Sequence, residues 1–271
     1  MKISRLKTLQ ILSLSAALLP AAVCADSGDS WKFGASVYGW FPDIAGTTSY
    51  PLGPGGGEID VPISDVLDKL DFTFQGNFDA RKGKWGFGTD VIYLDLGDTQ
   101  TFGSQGAGGP GDWPYDVSAS VKLDMKSWIW TTAGYYRLVD DDQTSFDLLA
   151  GVRYADVEQS LDWSISGDIS GLPLPGREGG AKVSADYWDA VLGIRGRFAL
   201  GQDGAWFLPY YFDIGTGDSD FTWQGLAGIG YAFSWGETVA AWRYLSYDLP
   251  SNRPIADMDF SGPALGLTFR W

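Results

Sequence analysis

The chain has 271 residues, of which 19 are basic, 34 are acidic and none is histidine, so its formal net charge is −15. This excess of acid argues against nucleic acid, or any other polyanion, as a general partner. The absence of histidine removes the usual general base and the commonest metal ligand, which excludes the histidine-dependent hydrolases. We therefore expect no enzymatic activity, no metal site and no cofactor.

Residues 1–25 have the pattern of a secretory signal peptide. A short basic start is followed by the apolar segment 9–19 and by a small-residue cleavage site that ends at Ala25. Cleavage there leaves 16 basic and 34 acidic residues, a formal charge of −18. The alternative is a lipoprotein signal acylated at Cys24, the single cysteine of the chain. Elsewhere no run approaches the roughly 18 apolar residues of a membrane helix, so a helical membrane protein is excluded.

The mature segment, 26–271, is expected to form one all-β domain of about ten strands. Tight connections alternate with long ones, which is typical of an antiparallel transmembrane β-barrel with short periplasmic turns and long extracellular loops. Twelve strands are the alternative, if part of 44–62 pairs as an extra hairpin. The predicted strands lie near 31–41, 70–81, 84–96, 117–138, 144–160, 181–200, 205–215, 220–234, 237–248 and 259–271.

Residues 70–81 show the clearest strand pattern. Apolar residues and glycine occupy one face, from Leu70 to Ala80, and polar residues occupy the other, from Asp71 to Arg81. The side chains of a strand alternate between its two faces, so one face meets an apolar medium and the other meets water. In an exported chain this pattern indicates a barrel with lipid outside and a wet lumen.

The predicted strand at 117–138 changes its apolar phase half-way along. The apolar positions up to Met125 lie on one phase, and Trp128 and Trp130 continue on the other. One inserted residue shifts the phase of a strand in this way, so we expect a β-bulge near 126–127.

Aromatic residues cluster at both ends of the predicted strands. Next to the short turns lie Trp31, Trp85, Phe146, Phe198, Trp206, Trp235 and Trp271. Toward the long loops lie Tyr93, Trp128, Tyr154, Trp188, Phe221 and Tyr247. A bilayer selects two such belts around an apolar band, whereas a soluble β-sandwich, the alternative fold, has no reason to carry them. The belts predict a location in the outer membrane.

The last six residues, 266–271, resemble the C-terminal signal of bacterial outer-membrane barrels. The matching positions are Gly266, Phe269 and Trp271. This resemblance implies the barrel-assembly machinery as a partner during biogenesis.

The start of the mature chain resembles a broad group of proteobacterial outer-membrane proteins. The resemblance rests on Trp31-x-Phe33, the segment from Tyr38 to Pro42, Gly46-Thr47 and 65–72. It implies a small porin-like barrel of a Gram-negative cell, similar in general architecture to OmpA-like or OmpW-like proteins, and it carries no established activity.

Twelve charged residues share the predicted inward face. Buried charges persist only when they are paired or solvated, so we expect an arginine–aspartate network in the lumen. A barrel of about eight strands is just filled by side chains, whereas open aqueous pores need about 16 strands. The network is interpreted as a plug that holds the strands in register, with a narrow charged constriction as the alternative. Its residues are Asp79, Arg81, Asp90, Arg137, Asp147, Arg153, Asp189, Arg195, Arg197, Asp213, Arg243 and Arg270.

The predicted outer loops carry most of the remaining acidic residues. These acidic loops are interpreted as a solvated surface, because no calcium-loop spacing is present, with bridges through divalent cations to lipopolysaccharide phosphates as the alternative. Outer-membrane lipid and lipopolysaccharide are the expected partners. Within loop one, residues 63–70 place apolar side chains at helical spacing. This short segment either covers the barrel mouth or packs on neighbouring loops.

Two functional interpretations follow. One is a narrow passive channel for small or amphipathic solutes, which requires a gap in the charge network. The other is a closed structural or surface-interaction barrel with acidic extracellular loops and no transport activity. If the lumen conducts, Arg195 and Arg197, two positions apart on one inward face, are expected to set its anion preference.

Overall fold

The structure is a computed structural model that describes residues 30–48, 57–108, 113–169, 172–173, 175–201, 203–250 and 255–271. The predicted signal peptide, including Cys24, lies outside the described residues. Within the described part of the chain, no helix is both long enough and apolar enough to cross a membrane.

The described residues form thirteen strands and one short helix. The first elements are β1 (Lys32–Trp40), β2 (Asp43–Thr48), β3 (Gly57–Val61), α1 (Ile63–Asp68), β4 (Leu70–Lys82), β5 (Trp85–Gly108) and β6 (Trp113–Asp140). The others are β7 (Thr144–Ile169), β8 (Leu172–Pro173), β9 (Arg177–Leu200), β10 (Trp206–Gly217), β11 (Phe221–Ala232), β12 (Gly236–Asp248) and β13 (Ile255–Arg270).

Ten of these strands close into one antiparallel barrel, in the order β1, β4, β5, β6, β7, β9, β10, β11, β12 and β13. The ring is closed by β1 and β13, whose pairing begins with Gly34 opposite Arg270 and ends with Trp40 opposite Ala264. The predicted all-β, antiparallel barrel of ten strands is thereby confirmed.

The alternative of twelve strands is wrong, because the hairpin β2–β3 forms but does not enter the ring. β2 pairs with the outer part of β13, where Asp43 lies opposite Ser261. It therefore continues β1 along the same neighbouring strand. Phe41 and Pro42 separate the two pieces, and a proline interrupts a strand because it has no backbone N–H to donate. β3 pairs with β2 and adds to the outer end of the barrel.

The seam between β1 and β4 is held by backbone hydrogen bonds in its lower half and by a side chain above them. Backbone pairing runs from Lys32 opposite Arg81 to Val37 opposite Gly76. Above it, the Oε1 atom of Gln75 accepts the backbone N–H of Trp40 at 2.6 Å, and its Nε2 atom donates to the Trp40 carbonyl at 3.0 Å. Both side chains are buried, so a side-chain amide keeps the seam closed where the two strands diverge.

Four adjacent strands, β5, β6, β7 and β9, contain 24 to 28 residues each, whereas β10, β11 and β12 contain 12 or 13. A tilted strand crosses a bilayer in about 9–11 residues. The outer halves of the four long strands therefore stand in water, and we call them the extracellular wall. The prediction of long loops at 97–116 and 161–180 is wrong, because backbone pairing continues through most of both segments.

The expected β-bulge near 126–127 is also wrong. β6 keeps a regular register with β5 and with β7 through these residues. The apolar face changes because the surroundings of the strand change. Trp128 and Trp130 face lipid, whereas Lys126 faces water and lies 3.3 Å from the carboxylate of Asp95. Met125 faces inward, so the change of phase marks the outer surface of the membrane.

The aromatic belts lie on the outer surface of the barrel, with one correction. Tyr247 is buried in the lumen, because it shares the inward phase of Arg243. Tyr244 takes its place outside, with its ring stacked on Trp223 at a centroid distance of 4.5 Å. The belt residues that are exposed include Trp31, Trp85, Trp128, Trp188, Phe198, Trp206, Phe221, Trp235 and Trp271.

An apolar cluster fills the outer part of the lumen. It joins inward side chains of the barrel strands to Val66 of α1, so the predicted helical segment packs at the barrel mouth. Asp43 accepts the backbone N–H of Ile63 at 2.6 Å, which holds the start of α1 against β2. The buried members of this apolar cluster are Trp40, Ile44, Val66, Ile92, Leu94, Leu96, Ile129, Ala155, Val157, Ala185, Tyr187, Leu245, Tyr247, Leu249, Met258 and Phe260.

Candidate functional site

The structure places all twelve of the predicted charged residues inside the barrel. Strand periodicity explains this placement, since each of them has the phase opposite to the lipid-facing aromatic residues. Five of them are buried, namely Asp147, Arg153, Asp189, Asp213 and Arg243. The other seven line the lower lumen, namely Asp79, Arg81, Asp90, Arg137, Arg195, Arg197 and Arg270.

Arg153 and Asp213 form a fully buried ion pair directly below the apolar cluster. Arg153 also donates to the hydroxyls of Thr131 and Thr222, at 3.2 Å in each case. The hydroxyl of Tyr211 donates to the same Asp213 oxygen that the arginine contacts. A buried charge needs this degree of hydrogen bonding, because removal from water is costly for an unpaired ion.

Arg243 forms a second buried group, which borders the lower lumen. Its Nη2 atom lies 2.8 Å from the Asp90 carboxylate and 2.9 Å from the side-chain Oε1 atom of Gln224. Its Nη1 atom donates to the Tyr38 hydroxyl at 2.9 Å, and that hydroxyl donates to Asp90 at 2.7 Å. We call the Arg153–Asp213 and Arg243–Asp90 pairs together the closing layer.

Asp147 collects three arginines nearer to the periplasmic end. Arg81 contacts it at 2.5 Å, Arg195 at 3.3 Å, and Arg137 also bonds to it. Arg195 reaches Asp79 at 3.5 Å as well, and its guanidinium lies 3.6 Å from the centroid of the Tyr135 ring. Three cations here share two buried or half-buried carboxylates.

Glu237 is a member of the network that our sequence reasoning missed. It lies 2.7 Å from Arg197 and 2.8 Å from Arg270, so one carboxylate serves two guanidiniums. A signal for it was present, because Glu237 stands an even number of positions before Arg243 on the same strand. It was overlooked because it stands next to the turn, where the strand pattern begins.

Asp189 does not join an arginine, although it lies opposite Arg153 in the backbone register. Its carboxylate instead accepts the backbone N–H of Ser219 at 3.0 Å and so holds the short connection between β10 and β11. The C-terminal residues predicted for assembly lie on β13 and just after it. Phe269 and Trp271 are exposed on the outer surface, and Gly266 lies opposite Tyr38.

A cavity of about 980 Å³ occupies the lower lumen, and we call it the periplasmic cavity. It reaches the short turns near 140–144 and 203–204, and it ends inside the barrel at the Arg243–Asp90 pair. The fully buried Arg153–Asp213 pair and the apolar cluster lie beyond that end. The described lumen is therefore open toward the periplasm and filled toward the outside.

The described acidic residues do not form a metal centre, since nowhere in this part of the chain do three potential ligands come together. Asp162, which falls in the predicted loop 161–180, stands on the outward face of β7 in the extracellular wall, as do Asp156 and Glu158 at the end of the predicted strand 144–160. Exposed ion pairs join such residues to lysines, as in the 2.7 Å contact between Glu158 and Lys182. This face is polar and solvated.

Comparison with known proteins identifies the fold. No protein-family model matches the chain, and no curated protein matches its sequence. Among solved structures, the outer membrane protease OmpT from Escherichia coli matches with a TM-score of 0.56 at 12% identity, over 90% of this chain and 99% of OmpT. The translocator domain of the autotransporter NalP from Neisseria meningitidis matches with a TM-score of 0.37 at 12% identity, over 91% of this chain and 90% of that domain.

Ail, the attachment invasion locus protein of Yersinia pestis, matches with a TM-score of 0.34 at 8% identity, over 90% of this chain and all of Ail. At such identities, the likeness to OmpT shows the fold alone. Together with the closed ring of ten strands, it establishes an integral β-barrel of the outer membrane. The protease activity named for OmpT is a property of that protein.

Proposed function

We propose that this chain is a closed outer-membrane barrel that presents its extracellular wall to the outside and does not conduct solutes through its lumen. One observation carries this proposal. The closing layer and the apolar cluster fill the lumen between the periplasmic cavity and the outer surface. A solute would meet a fully buried ion pair and then packed apolar side chains before it reached the other side.

The energetic cost of a passage supports the same proposal. Opening the lumen separates Arg153 from Asp213, and breaking a buried pair costs about 3–5 kcal/mol. It also exposes buried side chains such as Trp40 and Phe260, at roughly 1.5–3 kcal/mol for each large apolar side chain. These free-energy costs make a spontaneously open lumen rare.

The outer surface is the region that we propose for interaction. The outward face of the extracellular wall is polar and acidic, and Asp156 lies directly opposite Asp186 on the neighbouring strand. Like charges placed opposite each other attract counterions. We propose that divalent cations link this face to lipopolysaccharide phosphates. We further propose that the protein has no catalytic role, since the chain contains no histidine.

A gated channel is the second candidate, and the periplasmic cavity favours it. A cavity of about 980 Å³ that opens to the periplasm already forms the inner half of a transmembrane passage. In this case the hairpin β2–β3 and α1 would have to leave the barrel mouth, since they contribute Ile44 and Val66 to the apolar cluster.

Conductance of the refolded protein in a planar lipid bilayer separates the two candidates. We expect no channel steps for the natural sequence. Replacement of 43–68 by a short Gly-Ser linker removes β2, β3 and α1, and we expect this variant to conduct or to flicker. As a control, deletion of 99–122 removes a similar length of the extracellular wall and leaves the mouth covered, so it should remain silent.

Regular conductance steps of the natural sequence would overturn the closed barrel and establish the channel. In that case the Arg195→Gln/Arg197→Gln variant should show a lower preference for anions, because the lumen loses two positive charges. Unequal mobility of boiled and unboiled samples in gels shows that each variant has folded into a barrel.

A further inference from the structure

Within the described residues, the extracellular wall has two free edges above the membrane. At one of them, the pairing of β4 with β5 stops at Leu70 opposite Leu96. A single further bond, from the Gly97 N–H to the Lys69 carbonyl at 3.0 Å, closes that corner. Beyond it, β5 pairs with β6 alone. Residues 98–108 therefore have one side without a described strand, and we call this side the β5 edge.

The alternation of backbone hydrogen bonds shows which groups the β5 edge presents. Arg137 donates its N–H to the Lys84 carbonyl at 2.7 Å, and the register of β5 with β6 is regular throughout. Residues of an antiparallel strand bond alternately to their two neighbours, so the even-numbered residues of β5 bond to β6. The odd-numbered residues direct N–H and C=O to the opposite side, as the Gly97 N–H does. Those that present both groups to the β5 edge are Thr99, Thr101, Gly103, Gln105 and Ala107.

The β5 edge lacks the features that protect an exposed edge strand. Lysine, proline and other charged residues on an edge discourage pairing with another chain. Residues 98–108 contain one charged residue, Asp98, and neither lysine nor proline. The other free edge belongs to β9, above its last pairing with β10 at Asp189 opposite Gly217. That edge carries four charges of both signs within 177–187, so the β5 edge is the one that is open to a further strand.

The two faces of the extracellular wall determine which strand fits the β5 edge. The outward face is polar and carries exposed ion pairs. On the inward face, Trp163 and Ile165 share the phase of the buried Val157 but remain 38% and 44% exposed. The backbone register continues from Ile165 through Ala119 to Phe102 at the β5 edge. A strand added there extends both faces if apolar and polar residues alternate along it.

We propose that the β5 edge binds an extended peptide segment of a partner protein outside the cell, in which apolar and polar residues alternate. The odd-numbered residues of β5 supply the backbone hydrogen bonds, and the apolar side chains of the peptide continue the inward face of the wall. The edge is nearly neutral and offers few cross-strand ion pairs, so it suits a peptide of low charge. This site goes beyond the proposed closed barrel, because it requires neither divalent cations nor a closed lumen.

A labelled peptide with the sequence of residues 115–125 is the probe. Its apolar and polar residues alternate, and the same sequence pairs with the other side of β5 in the wall. The fluorescence anisotropy of this peptide, titrated with the folded barrel in detergent, should show saturable binding. EDTA is present throughout, so that bridges through divalent cations do not contribute. A peptide of the same composition, reordered so that the alternation is lost, is the control and should not bind.

Two proline variants locate the bound peptide. Thr101→Pro removes an N–H that faces the β5 edge and none that bonds to β6, so it should weaken binding by about tenfold or more. Ser184→Pro is the matched control on β9. Its N–H faces the free side of that strand, as the Trp188 carbonyl four positions on faces Asp218. Binding to this variant should equal binding to the natural sequence.

The remaining outcomes decide against the proposal. Thr101→Lys adds a charge at the edge without altering the backbone and should also weaken binding, so unchanged binding to both Thr101 variants overturns it. Equal losses in Thr101→Pro and Ser184→Pro, or equal binding of the reordered peptide, overturn it as well. So does the absence of saturable binding to a natural sequence that shows the gel shift of a folded barrel. Sedimentation as a dimer that Thr101→Pro converts into a monomer would assign the edge to a second copy of this chain instead.

Discussion

Gln75 satisfies both backbone groups of Trp40 with a single side chain. Its amide accepts the Trp40 N–H at 2.6 Å and donates to the Trp40 carbonyl at 3.0 Å. β4 thus holds β1 at the point where the two strands diverge and where β1 gives way to Pro42 and β2. Trp40 is then free to turn its ring into the apolar cluster, which makes Gln75 a link between the barrel wall and its filled mouth.

The first prediction tests this link. Gln75→Leu leaves two backbone groups of Trp40 buried and unpaired, at about 1–3 kcal/mol each, so the free energy of unfolding should fall by roughly 2–6 kcal/mol. A urea titration followed by tryptophan fluorescence measures it. Gln105→Leu removes an amide that bonds to Asp116 on the exposed outer face, and it should change stability by about 0.5 kcal/mol or less. Equal effects of the two substitutions would contradict the role of Gln75.

The second prediction concerns the closing layer. Arg153→Met leaves the carboxylate of Asp213 buried without its cation, which should destabilise the barrel by about 3–5 kcal/mol. The double variant Arg153→Met/Asp213→Leu removes both charges and should recover much of that loss. Lys182→Met, which breaks an exposed pair with Glu158, should cost about 0–1 kcal/mol. A double variant no more stable than Arg153→Met in the same titration would argue against the pair as the cause.

The sequence was sufficient to predict the ring of ten strands, because lipid imposes strict alternation over each crossing. It was not sufficient for the extracellular wall. Above the membrane the alternation continues with the faces exchanged, since water lies outside and apolar side chains lie inside. A rule that assigns apolar residues to lipid interprets this exchange as an irregularity at 126–127, and it interprets the polar strands beyond as loops.

The third prediction tests that exchange of faces on two adjacent residues. Met125→Lys places a charge against the apolar cluster and should destabilise the barrel by about 1–3 kcal/mol. Lys126→Met alters an exposed position that loses only its contact with Asp95, so it should cost at most about 1 kcal/mol. The denaturation midpoints of the two variants decide the matter. A larger loss of stability for Lys126→Met than for Met125→Lys would support a β-bulge at this point.

The charged network was predictable residue by residue, but its pairing was not. Period-two phase brings Asp147 and Arg153 to the lumen, and the same phase applies to Glu237, which stood too close to a turn to be noticed. Which arginine meets which carboxylate depends on the tilt and the register of strands that are far apart in sequence. Arg243 and Asp90, for example, are 153 positions apart and meet across the lumen.

The fourth prediction concerns assembly. We propose that the exposed aromatic residues Phe269 and Trp271 serve recognition by the assembly machinery, and Trp271 also exchanges backbone hydrogen bonds with Phe33. Replacement of both aromatic residues by lysine should therefore reduce the amount of folded protein in outer-membrane fractions severely. Trp235→Lys, which alters the same belt at an internal turn, should assemble nearly normally. Normal levels of the Phe269→Lys/Trp271→Lys variant would refute the proposal.

The seam that closes the barrel, between β1 and β13, determines when the edges of the growing sheet become protected. Nine of the ten seams join strands of the ring that follow one another along the chain, whereas the seam of β1 and β13 joins residues such as Ser36 and Thr268, 232 positions apart. Until β13 arrives, β1 and β12 are the open edges of a curved sheet, and unpaired edges promote pairing with other chains. A chain that is interrupted anywhere before β13 is therefore prone to aggregation, and protection of its edges is needed until the last strand is in place.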